Sequence, residues 1–130
     1  MKEVLEDNIL MSILLLSMFV LSGGQKVGTF NKTVDSLKQR IKLPEMIYKL
    51  AIIVVIMIEI IAPIIIINYF MTKQYKNYAY YSTLTLIGFT VLATIIYHPP
   101  DFTNYYKSVA FWANVSLIGG LLFLAKEIKN

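Results

Sequence analysis

The 130-residue chain is 57% hydrophobic and 15% charged, with no cysteine, one histidine and a formal net charge of +4. That balance leaves too few polar residues to cover a soluble domain. The missing thiols exclude a disulfide framework, a thiol nucleophile, a dithiol relay and a cysteine-bound iron–sulfur centre. One histidine without cysteine gives neither a bis-histidine haem nor a cysteine-rich zinc site, so no metal is expected.

The charges fall in blocks. Asp, Glu, Lys and Arg are absent from Asn8 to Gln25, from Leu50 to Thr72 apart from Glu59, from Asn77 to Pro100, and from Ser108 to Ala125. Each segment is close to the ~20 apolar residues that cross a bilayer. The pattern predicts an all-α protein, a four-transmembrane-helix bundle forming one integral membrane domain over residues 1–130. Its multi-pass spans are expected at about 8–25, 45–70, 78–98 and 107–125.

The first segment is expected to be retained as a helix. Glu3, Glu6 and Asp7 follow Lys2, and the apolar part is longer than a signal-peptide core. Next comes "FNKTVDSLKQRI", in which Phe30, Val34, Leu37 and Ile41 form a one-sided stripe opposite Lys32, Asp35, Lys38 and Arg40. This predicts an amphipathic interfacial helix, lying flat or dipping inwards, between helices 1 and 2. Pro44 punctuates its end. "TKQYKN" is a polar turn, "HPPD" stops the third span, and "KEIKN" reads as a short polar tail.

Tyr69, Phe70, Tyr75, Tyr78, Tyr80 and Tyr81 surround the second turn. Tyr48, Tyr97, Phe102, Tyr105, Tyr106 and Trp112 surround the opposite ends. Two interfacial belts are expected, with some of these rings in the core instead. The basic residues mark loops that meet anionic lipid, not a nucleic-acid surface. Lys2, Lys73, Lys76, Lys126 and Lys129 lie on one side, and Lys26, Lys32, Lys38, Arg40, Lys42, Lys49 and Lys107 on the other, a bias that leaves orientation open.

Glu59 and Pro63 interrupt "IMIEIIAPIIII". A carboxylate at mid-membrane costs on the order of 3 kcal/mol and usually faces a partner inside the bundle. Proline 63 lacks the amide that would bond the carbonyl of residue 59, so side chain and backbone there both need an internal donor. Lys26 closes helix 1 one turn after Ser22. Thr90, Thr94 and His98 share a face of helix 3, and Asn114 lies about two turns into helix 4. Alternating chain direction puts Lys26, Glu59, His98 and Asn114 in the same half of the bundle. An intramembrane polar cluster of these four, supported by Ser22, Pro63 and Thr94, is expected. Such groups can equally bind helices together without further function.

"LSGGQK", "LP", "IEIIAPIIII", "IIYH" and "FWANVSLIGGLLFL" occur in an order that resembles the DoxX-like family of small four-helix membrane proteins. The resemblance covers nearly the whole chain and matches that family's recurrent polar positions to Lys26, Glu59, His98 and Asn114. The chain departs from the family in having Pro63 where glycine is more common. The resemblance implies a non-catalytic subunit or anchor of a quinone-linked redox assembly, with quinone as the candidate ligand. The alternative it implies is a scaffold or cargo receptor with a purely structural cluster. Expected partners are the lipid bilayer, a protein of a membrane complex and a second copy of the chain.

Overall fold

A computed structural model describes residues 2–99, 101 and 103–129, with side chains from Asp7 onward. Expectations resting on the Lys2 side chain, Pro100 and Phe102 lie outside the described residues. The elements are α1 (Lys2–Gly28), α2 (Phe30–Arg40), α3 (Glu45–Thr72), α4 (Lys76–Tyr97) and α5 (Tyr105–Lys129). α1 from Asp7 onward, α3, α4 and α5 are each long and apolar enough to cross a membrane. The chain is an integral multi-pass membrane protein.

The helices outrun the apolar segments that predict them. α5 continues through Lys126 and Glu127 to Lys129, where a polar tail was expected. Hydropathy senses the thickness of the hydrocarbon, whereas Lys and Glu are good helix formers and carry the ladder into the interface. α4 stops one residue early. His98 leaves the helix as its C-cap, at φ −134° and ψ 55°, because the residue before a proline is disfavoured in helical backbone.

Each span buries one stripe. Ser12, Leu16 and Phe19 of α1 face Ala62, Ile66 and Phe70 of α3; α4 contributes Ala79, Thr83, Leu86, Thr90 and Thr94. On α5 the buried residues are Leu121, Leu124, Ala125 and Ile128, all in its C-terminal half. Leu14, Met18, Leu21, Ile64, Leu92 and Ile95 point outwards, as hydrocarbon-facing residues should. α1 against α3, α3 against α4 and α4 against α5 are the main interfaces, and the α1–α5 seam is the lightest contact between neighbouring spans.

α2 buries Val34 and Leu37 against Tyr48 and Ile52, with Phe30, Ile41, Ile96 and Tyr97 around them. Four polar contacts fasten it and the linker that follows. The Tyr48 hydroxyl donates to the Ile41 carbonyl at 2.7 Å and accepts from the Leu43 amide at 2.7 Å. The Arg40 guanidinium lies 4.6 Å from the Tyr97 ring centroid. Lys38 pairs with Glu45, and that hydrogen bond holds the Lys38 ammonium above its ordinary pKa. Tyr48→Phe removes both hydroxyl bonds across the α2–α3 linker. It is expected to cost about 1–3 kcal/mol, read as a lower Tm in detergent and faster proteolysis within residues 41–44.

The aromatic groups divide between core and interface. Tyr48, Tyr69 and Phe70 are buried, whereas Tyr75, Tyr78, Tyr81, Tyr105, Tyr106 and Trp112 are exposed. Tyr75, Tyr78, Tyr81, Tyr105 and Tyr106 sit near the helix ends, where an amphipathic ring meets both tail and headgroup, whereas Trp112 lies about two turns into α5.

Candidate functional site

Glu59 is only 1% exposed, midway along α3. Its Oε1 lies 2.6 Å from Nζ of Lys26, which also donates to Ser22 Oγ at 2.6 Å. The Lys26 side chain is 24% exposed, so the pair is sealed on the α3 side and reachable on the α1 side. Two of the three ammonium hydrogens serve these bonds, which leaves one donor for a further acceptor.

Backbone approach makes the pair attainable. An added Cβ at Gly23 would stand 2.9 Å from Ile60 Cγ1 and 3.1 Å from Glu59 Cβ. Gly23 therefore seats α1 directly on the turn of α3 that carries the acid. Ser22 and Lys26 follow at helical spacing and close over it. Pro63, fully buried, lies one turn further along α3. It leaves the Glu59 carbonyl without its intrahelical donor, beside the Glu59 carboxylate.

Ser22, Lys26 and Glu59 meet at the α1–α3 contact with Pro63 one turn along α3, and the other expected members sit differently. Thr90 and Thr94 are buried, but their hydroxyls donate within α4, to Leu86 O at 2.7 Å and Thr90 O at 2.6 Å. Counting from the turn at Lys73–Tyr75, Thr90 lies at about the depth of Glu59. Asn114 is half-buried on α5. Counting from the contacts Asn8–Glu127 and Leu15–Gly120 places it within about a turn of the same depth. His98 is exposed at the end of α4, roughly two turns from that level. The structure thus brings together a base, an acid and a hydroxyl, with an amide at similar depth, and leaves the imidazole apart.

Gly23 was not expected at the site, and Tyr48, expected in an interfacial belt, is instead buried against α2. The signal for Gly23 is local: a glycine between a serine and a lysine on the buried stripe of an apolar helix. Tyr48 acts on a linker whose path is set only by tertiary packing, and no periodicity marks it.

Two grooves lie elsewhere. One, of about 310 Å3, runs along the outer face of α3 and α4 past Met57, Ile61, Ser82 and Thr85. The other, of about 330 Å3, follows the α1–α5 seam from Ser12 and Gly120 to Asn8 and Glu127.

Four spans and a short amphipathic helix after the first define a small multi-pass membrane protein, and a part-buried lysine–glutamate pair joins its first two spans. The family model described as methylamine utilisation protein MauE matches residues 7–101, and the chain belongs to this family, a DoxX-like membrane family. The matched stretch runs from α1 through α4 and includes Lys26, Glu59 and Pro63. No curated protein and no solved structure matches the chain.

Proposed function

We propose that the chain is a non-catalytic membrane subunit or anchor of a quinone-linked redox assembly, and that Lys26 and Glu59 hold the quinone head group there. Asn114 supplies a further polar group at similar depth. The family description links the protein to methylamine utilisation. Oxidising the carbon–nitrogen bond of an amine releases two electrons, and a subunit within the bilayer offers them a lipid-soluble acceptor. A chain with no cysteine and one histidine is poorly equipped to carry those electrons itself. The part-buried Lys26–Glu59 pair carries the reading, because its unused ammonium hydrogen is a donor of the kind a quinone carbonyl accepts.

Trp112, exposed on α5 within a few residues of Asn114, reports on this depth. Titrating the detergent-solubilised protein with a short-chain ubiquinone should quench its fluorescence with a Kd on the order of micromolar. Glu59→Gln should weaken that binding about tenfold. Absence of quenching in the wild type overturns the quinone assignment.

A second reading draws on the Gly23 notch: the pair fastens α1 to α3 in a scaffold or partner receptor. In that case Glu59→Gln lowers thermal stability and the yield of assembled complex, while partner function per folded molecule is unchanged.

A further inference from the structure

The α1–α5 seam ends at a carboxylate, Glu127. Its walls are apolar, formed by Met11, Leu15, Phe70 and Phe123. At one end Asn8 Nδ2 lies 3.4 Å from Glu127 Oε1, a long hydrogen bond that a better donor would displace. Lys73, in the α3–α4 turn, sits above the Phe70 ring that lines the same groove, its Nζ 5.2 Å from the centroid. Asn8 lies at the start of the first span and Glu127 near the end of α5, so the mouth is at headgroup level and the apolar part at tail level. At Gly120 the Leu15 side chain packs close to the α5 backbone, where an added Cβ would meet Leu15 Cδ1 at 3.2 Å.

We propose that this groove is a binding site for an ethanolamine phospholipid. One acyl chain lies between α1 and α5, the primary ammonium donates to Glu127, and the phosphate meets Lys73. The assignment rests on charge complementarity. Glu127 in the groove lining, with Lys73 over the Phe70 ring that borders it, fits a zwitterionic headgroup better than an anionic one. A carboxylate prefers an ammonium with N–H donors to a quaternary one, which has charge but no hydrogen to give.

The test places the full-length protein in nanodiscs of equimolar ethanolamine, choline and glycerol phospholipids with identical chains. Lipid retained after transfer to detergent is read by native mass spectrometry. The ethanolamine lipid should be retained over the choline lipid by about tenfold, the scale of a charge-assisted hydrogen bond. Glu127→Gln should abolish that preference, and Lys73→Gln should lower retention of all three lipids. Met11→Trp, at an exposed position that fills the groove from the lipid side, should reduce retention without altering the headgroup order. Equal retention of ethanolamine and choline lipids by the wild type, an unchanged preference in Glu127→Gln, or an isoprenoid quinone in the groove each overturn the proposal.

Discussion

Lys26→Met is expected to destabilise the solubilised protein by about 3–5 kcal/mol, the cost of leaving a buried charge without its partner. Glu59 is 1% exposed and Lys26 Nζ is its cation at 2.6 Å, while Ser22 also loses its contact to that ammonium. The acid has little recourse to solvent, because Gly23 holds the α1 backbone against its own Cβ. Removing both charges should behave differently. Lys26→Met with Glu59→Leu replaces the pair by apolar side chains of similar volume, an exchange that is often neutral or stabilising. The double variant should therefore recover most of the lost Tm. That recovery is also informative about function. A double variant that folds well but binds neither quinone nor partner assigns the pair to binding, whereas one that folds and functions normally assigns it to packing. The measurement is thermal unfolding in a single detergent, with quinone titration on the same samples.

Architecture was the most legible property because it depends on solvent type more than on detailed packing. Charge-free segments mark hydrocarbon, and the four spans follow from their length. The one-sided stripe of Phe30, Val34, Leu37 and Ile41 likewise becomes the face that α2 packs on Tyr48 and Ile52. Depth and alternating chain direction direct attention to Lys26 and Glu59, since two ionisable groups at comparable depth on neighbouring spans have few other partners. Counting already sets His98 roughly two turns from Glu59, and Pro99 turns its backbone out of the helix and leaves the imidazole exposed. Asn114 shows a limit of such counting. Depth alone does not say how closely α5 packs, and its N-terminal half contributes no buried residue among those described.

Two neighbouring glycines should respond to the same substitution with opposite sign. At Gly24 an added Cβ meets nothing within 4 Å. Gly24→Ala should therefore stabilise α1 by up to about 1 kcal/mol through backbone entropy. At Gly23 the same methyl stands 2.9 Å from Ile60 Cγ1 and 3.1 Å from Glu59 Cβ. The second of these atoms is tied directly to the α3 backbone, so relief requires the helices to part. Overpacking of this kind costs about 1–3 kcal/mol, enough to cancel the helix gain and leave a net loss. Parting α1 from α3 also draws Lys26 from Glu59, so the loss should exceed the steric term and grow further with Gly23→Val. Ile60→Ala removes Cγ1 and should recover part of the deficit. Because the residues touch, the two changes should be non-additive by about 0.5–3 kcal/mol. Thermal unfolding of the two alanine variants, Gly23→Val and the Gly23→Ala, Ile60→Ala pair resolves the point. If Gly23→Ala proves as stable as Gly24→Ala, α1 is not seated on the Glu59 turn, and the close backbone approach that positions the lysine–glutamate pair does not exist.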